Sequence, residues 1–251
     1  MHDWRARELV AASGPEQGLT GAFPIVELRQ YTLHDGMRDR LIDLFERQFI
    51  ESQEVFDMKV IGTFVDVDRP DRFVWLRGFR DMASRFAGLD AFYYGPVWME
   101  HREDANSTMI DSDNVLLLRT ANASPGLSQG TSRPGGRERR DAGLIVATIE
   151  YLKPRSTAAL AIFETEVEPQ LKRSGIFPIA WLATEPSPNN FPRLPVREGE
   201  EVLVWFARFA SQADHRDHQQ RMDEASKALS SLRERAPEVL RLAPTSRSEL
   251  R

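Results

Sequence analysis

The sequence predicts an α+β protein made of two tandem ferredoxin-like (βαββαβ) units, on three observations. First, the chain repeats itself. IVELRQYTL at 25–33 returns as IVATIEYLK at 145–153, FVWLRGF at 73–79 as LVWFARF at 203–209, and DNVLLLR at 113–119 as PEVLRLA at 237–243. The offsets are 120, 130 and 124 positions, close enough to describe one unit written twice with small insertions. Second, each copy runs strand, helix, strand, strand, helix, strand, which puts the first and third strands side by side at the centre of a sheet. Third, the copies are separated by TANASPGLSQGTSRPGGRERRD, a Gly, Ser and Pro-rich stretch with the composition of a flexible linker.

The elements of the first copy follow in order. Residues 24–33 are rich in β-formers. Behind the Asp35-Gly36 turn, Met37, Leu41, Leu44, Phe45 and Phe49 recur at helical spacing. Residues 58–67 and 71–80 read as a hairpin around DRPD, where Pro70 cannot donate to a ladder and marks the turn. Asp81 is placed to cap a helix carrying Met82, Phe86 and Leu89. In YYGPVWMEHRED, Gly95-Pro96 ends that helix and begins another, since proline suits a first helical position. Trp98, Arg102, Ala105 and Met109 then share one face, with Val97 and His101 on its shoulder. Residues 114–119 form the closing strand. The second copy carries an extra Pro- and Asn-rich hairpin, TEPSPNNFPRLPVREGE, at 184–200.

The domain plan is therefore an N-terminal tail (1–22), a first domain (23–119), a flexible linker (120–142), a second, divergent domain (143–243) and a C-terminal tail (244–251). Composition limits the function. A net charge of -5 in 251 residues, without a lysine and arginine cluster outside the linker, argues against a nucleic-acid partner. There is no cysteine, which excludes disulfides, thiolate metal sites and cysteine nucleophiles. No apolar run reaches bilayer length, and the N-terminus lacks a signal core, so a cytoplasmic protein is the default expectation. Walker, dinucleotide-binding, HExxH and GxSxG motifs do not occur.

VELRQYTL, IGTFVDVDRPDRFVWLRGF and FYYGPVWMEHREDANSTMIDSDNVLLL together resemble the NIPSNAP family of dimeric α+β barrel proteins. The resemblance covers the first copy well and the second weakly. It implies two sheets facing each other to close a barrel, here as an intramolecular pseudo-dimer, with further pairing into a homodimer left open. It implies little chemistry. Related barrel families include cofactor-independent oxygenases, haem-degrading enzymes and isomerases, and fold alone does not transfer an activity.

The copies serve as controls for one another. Glu27, Arg29 and Tyr31 alternate onto one side of their strand, where the 120-residue offset places Ala147, Ile149 and Tyr151. Arg77 shares a face with Phe73, Trp75 and Phe79, and its counterpart is Ala207. Glu27, Arg29 and Arg77 could thus meet across neighbouring strands. Such a cluster is either a self-satisfied ion network or two arginines free to grip a substrate anion. Of the five histidines, His101 and, beside it, Tyr31 are the candidates for proton transfer, with Trp98 as a binding wall. A partly exposed helix histidine is the plainer account of His101. His34 reads as turn chemistry, and His215 and His218 as a solvated helix face rather than metal ligands. The expected function is binding of a small, partly apolar, anionic molecule in the first copy. Cofactor-independent oxygenase or isomerase chemistry could accompany it, without metal or cofactor. The alternative is a non-catalytic interaction or scaffold protein.

Overall fold

The computed structural model describes residues 23–127, 133–135 and 143–251. The predicted N-terminal tail and most of the predicted linker lie outside the described residues. Eight strands are formed: β1 (Ile25–Leu33), β2 (Lys59–Asp66), β3 (Arg72–Phe79), β4 (Met109–Thr120), β5 (Leu144–Leu152), β6 (Pro178–Thr184), β7 (Glu201–Phe209) and β8 (Glu238–Pro244). They close into one antiparallel barrel in the order β1-β3-β2-β8-β5-β7-β6-β4. The chain therefore supplies its own barrel partner. Within the barrel, β1 lies against β3 and β5 against β7. The two halves join at two short seams, Leu118–Thr120 of β4 on β6 and Phe64–Asp66 of β2 on β8.

Two-residue alternation divides the core into three layers. Val26, Leu28, Val74, Leu76 and Leu118 point inward and meet Ile145, Ala147, Ile149, Val204 and Phe206, which fill the barrel. The outward residues Ile25, Tyr31, Leu33, Phe73, Trp75 and Phe79 pack beneath helices α1 (Arg38–Leu44), α2 (Glu51–Glu54), α3 (Met82–Tyr93) and α4 (Pro96–Asn106). In the second half, Leu144, Val146, Leu203, Trp205 and Phe209 pack beneath α5 (Ala159–Ile162), α6 (Glu168–Arg173) and α7 (Gln212–Ser226). The middle of the barrel is thus packed hydrocarbon, while one end carries a polar network in which Arg72 donates to Gln30 Oε1 at 2.8 Å and Tyr151 to Glu238 Oε2 at 2.7 Å.

Local chemistry sets the helix ends. Gly36 takes φ +72°, a conformation glycine adopts without strain, and turns β1 toward α1. Pro96 opens α4 with Gly95 as its N-cap, as expected from sequence. In both halves the first helix passes through one π-helical segment, Phe45–Phe49 and Phe163–Val167. The wider turn brings Phe45 to 4.7 Å from Trp75 and Phe163 to 6.0 Å from Trp205, ring centre to ring centre. Ser211 caps α7 by accepting the Asp214 N–H at 3.1 Å. Ser211→Ala should lower stability by about 1 kcal/mol in urea unfolding.

Several expectations are corrected. Ile25 pairs with Phe79 and Leu144 with Phe209, so Val146, not Ala147, stands opposite Ala207 as Glu27 stands opposite Arg77. The residues in the places of Arg29 and Tyr31 are therefore Thr148 and Glu150. Matching Tyr31 with Tyr151 slips the register by one, and a one-residue slip reverses the face of every side chain. Phe86, expected on the buried face of α3, is 48% exposed, and Arg85 is buried in its stead. His215 is buried against Phe209 rather than solvated, because it occupies on α7 the place Arg85 holds on α3. The 184–200 segment is an irregular strap between the paired strands β6 and β7. At the start of the predicted linker, Ala121 and Leu127 are packed in the core layers. The C-terminal residues pack as well. The Leu250 amide donates to the Ile61 carbonyl at 3.0 Å, its side chain enters the barrel core, and Thr63 N donates to Ser248 Oγ.

Candidate functional site

Glu27 and Arg77 face each other across the β1–β3 ladder, and Arg29 stands two residues along on the same side. The structure brings these three together and adds a fourth group, Arg85 from α3. Arg77 donates to Glu27 Oε2 from Nε (3.0 Å) and Nη2 (2.6 Å), and Arg29 donates from Nη1 to the same oxygen at 2.9 Å. Arg85 donates from Nε to Oε1 at 2.8 Å, and its Nη2 lies 2.7 Å from Oε1 without hydrogen-bond alignment. All four side chains are buried. One carboxylate thus serves three guanidiniums, a surplus of two positive charges.

Amide oxygens and aromatic faces share the surplus. Gln53 Oε1 accepts from Arg77 Nη1 at 2.9 Å, and Asn189 and Asn190 accept from Arg85 Nη1 at 3.0 and 2.6 Å. Arg77 lies over the rings of Trp75 and Phe79 at 5.0 and 5.5 Å. Burial by itself would raise the pKa of Glu27. The adjacent charges of Arg77, Arg29 and Arg85 outweigh it and hold the carboxyl far below the usual carboxylate range. Burial lowers the pKa of the Arg85 guanidinium, against the opposing pull of Glu27.

Asn189 and Asn190 belong to the strap, so the half without the cluster covers it. Asn190 Nδ2 donates to the Met82 carbonyl at 2.5 Å, and the Phe191 ring packs at 6.2 Å from Tyr93 and 6.1 Å from Phe86. Beside the cluster, under α1–α4, is a cavity of about 30 Å³ whose walls include Tyr31, Gln53, Trp75, Tyr93 and Trp98. That is room for water-sized occupants. Tyr31 accepts from Arg29 Nε at 3.1 Å, and burial raises its pKa against the pull of Arg29. Its hydroxyl is therefore a donor at neutral pH. The indole N–H of Trp75 is buried without a hydrogen-bond partner.

Of the residues singled out in the sequence, Tyr31 and Trp98 line the cavity, while Glu27, Arg29 and Arg77 form the charged wall behind Tyr31 and Trp75. His101 stands apart from the lining, edge-on to Phe49 at 6.3 Å. Sequence reasoning missed Arg85, Gln53, Asn189 and Asn190. Arg85 could have been found, because it falls three residues after Met82 and four before Leu89, on the buried face of α3. No local signal links the two asparagines to a cluster more than a hundred residues away. Among the described residues no group of three or more His, Asp or Glu side chains could hold a metal ion, and no helix is long and apolar enough to cross a membrane.

Sequence comparison covers the part of the chain that holds this cluster. Residues 26–125 match the NIPSNAP family. A NIPSNAP-like domain protein from Burkholderia xenovorans is 27% identical over 41% of this chain and 90% of its own, with a TM-score of 0.38. Over nearly the whole length, the fold is shared with a candidate monooxygenase from Fusobacterium nucleatum (11% identity, 89% of this chain and 93% of that one, TM-score 0.58). It is shared as well with an anthrone oxidase-like protein (10% identity, 88% and 91%, TM-score 0.55). No curated protein matches the sequence. The solved structures similar over 88% and 89% of the chain share its α+β fold, and the NIPSNAP match falls on the half that carries Glu27, Arg29, Arg77 and Arg85.

Proposed function

We propose that the NIPSNAP segment binds a small, partly apolar molecule that is an anion when it reacts, in the cavity between Tyr31, Trp75 and Trp98. The observation that carries this reading is the surplus of guanidinium charge over carboxylate, buried beside that cavity. A buried surplus of this kind favours an anion entering the space next to it. Tyr31 would donate its hydroxyl proton to an enolate or phenolate oxygen. Arg29, which donates to the Tyr31 oxygen, would strengthen that donor, and Glu27 would hold Arg29 and Arg77 in place. Trp98 would form the apolar wall. Tyr31 is better placed for proton transfer than His101.

An enolate or phenolate is the starting point both for isomerisation and for oxygenation in which the substrate anion reduces dioxygen. The neighbours named as a candidate monooxygenase and an anthrone oxidase-like protein make oxygenation the first reaction to test, on analogy of fold alone. The cavity admits only water-sized occupants while Phe191 and the asparagines cover its flank, so binding would require the strap to shift. We further read the strand orders β2-β3-β1-β4 and β6-β7-β5-β8 as a tandem ferredoxin-like repeat, with the charged site kept in one copy.

A second reading is favoured by the complete enclosure of Arg77 by Glu27 and Gln53: a structural cluster in a non-catalytic interaction protein. Dioxygen uptake with anthrone as the probe, together with native mass spectrometry of retained small molecules, separates the two. Under the first reading Tyr31→Phe lowers uptake by about 10²-fold in protein that still folds, at a stability cost of about 1–3 kcal/mol because Arg29 Nε loses its acceptor. Arg77→Met abolishes retention of anionic molecules. Absence of both uptake and any retained molecule from the wild-type protein would leave the structural reading standing.

A further inference from the structure

A second cavity is separate from the one beside Tyr31, although its lining includes Asn189, which accepts from Arg85 in the Glu27 cluster. It is a cleft of about 700 Å³ on the outer face of the second half, between α5, the start of β7 and the strap. Its volume falls in the range of small-molecule sites. The lining is mostly hydrocarbon, with Leu117, Leu152, Leu160 and Leu203 among its walls. Each lip carries a residue in the left-handed region, Gly199 at φ +80° on the strap and Arg155 at φ +64° on the opposite side. For arginine that conformation is strained, and it is held by Glu201, whose carboxylate accepts the N–H groups of Arg155 (2.6 Å) and Ser156 (3.0 Å).

The charges around the cleft are unequal. Glu185, Glu198, Glu200 and Glu201 line it with Arg197. Glu185 is paired with Arg119, and Glu200 with Arg197 and Arg235. Glu198 accepts the Asn189 N–H at 3.1 Å, and Glu201 the two N–H groups already named. Among the described residues neither forms an ion pair. Two uncompensated carboxylates, one on each lip, thus stand over an apolar floor. We infer that this cleft is a second binding site, for a small amphipathic cation: an apolar body on Leu117, Leu160 and Leu203, and an ammonium or amidinium group directed to Glu198 and Glu201. An anion of the same shape would meet repulsion, and a neutral one would leave both carboxylates unpaired.

Calorimetric titration at pH 7 with n-octylamine, n-octanoate and n-octanol tests this directly. The amine, protonated at that pH, should saturate one site at least tenfold more tightly than octanoate. Glu198→Gln should weaken the amine at least tenfold and leave octanol unchanged, since the glutamine carbonyl can still accept the Asn189 N–H. Leu160→Trp, at a half-buried position on α5, should fill the floor and remove binding of all three at an unchanged unfolding midpoint. Tyr31→Phe should have no effect, which makes this site independent of the one in the NIPSNAP segment. Three results would each overturn the assignment: no saturable binding, equal affinity for amine and octanoate, or amine binding that survives Leu160→Trp.

Discussion

Glu27→Gln lowers the free energy of unfolding by about 3–5 kcal/mol, the range for removing one partner of a buried ionic network. Both oxygens of the native carboxylate accept from guanidinium groups, two arginines on Oε2 and a third on Oε1. Glutamine keeps the shape, turns one acceptor into a donor facing donors, and leaves three buried cations without the one acidic partner they have among the described residues. Urea unfolding with an unchanged m-value is the measurement. A loss below 1 kcal/mol would mean that the arginines are neutralised some other way.

The pH dependence has a definite sign. The Glu27 pKa is depressed in the folded protein, so its contribution is fully present above the unfolded-state value near ~4.3 and is lost as the pH falls below it. Relative to wild type, the variant's stability should fall less steeply between pH 4 and 2, by up to about 1.4 kcal/mol per pH unit.

Trp205→Ala and Trp75→Ala should each cost about 3–5 kcal/mol, as expected for a large side chain removed from a closed site. Both are buried on the outer sheet face beneath a π-segment phenylalanine. They belong to different layers, so the double variant should show additive losses to within about 0.5 kcal/mol. They should differ in their effect on ligands. Trp75 lines the small cavity, so Trp75→Ala should alter whatever the NIPSNAP segment retains, and Trp205→Ala should not. Equal effects of the two on retention would place the site elsewhere.

The order of elements could be read from the sequence because each carries its own local signal. Gly36, Pro70, Asp81 and Gly95-Pro96 mark boundaries by their backbone chemistry, and β1 and β3 announce themselves by composition. Register was harder. Tyr31 and Tyr151 look alike, and only the ladders show that one faces the helices and the other the barrel interior. The Glu27–Arg29–Arg77 grouping follows from alternation and strand adjacency. Arg85 was obscured because an arginine on a helix is ordinarily taken as solvated, and Phe86 beside it looks like the buried residue. The strap asparagines depend on tertiary structure alone.

The strap comes from one half and covers the charged cluster of the other, through Asn189, Asn190 and Phe191. In a barrel closed by two identical chains, two-fold symmetry would give every sheet both a cluster and a cover. Any substitution in either would then appear twice. A single polypeptide is released from that symmetry. Strap and cluster can change independently, and a substitution at Asn190 alters one pocket rather than a matched pair. The second half has Val146 and Ala207 where the first has Glu27 and Arg77, so the cluster under the strap has no counterpart there.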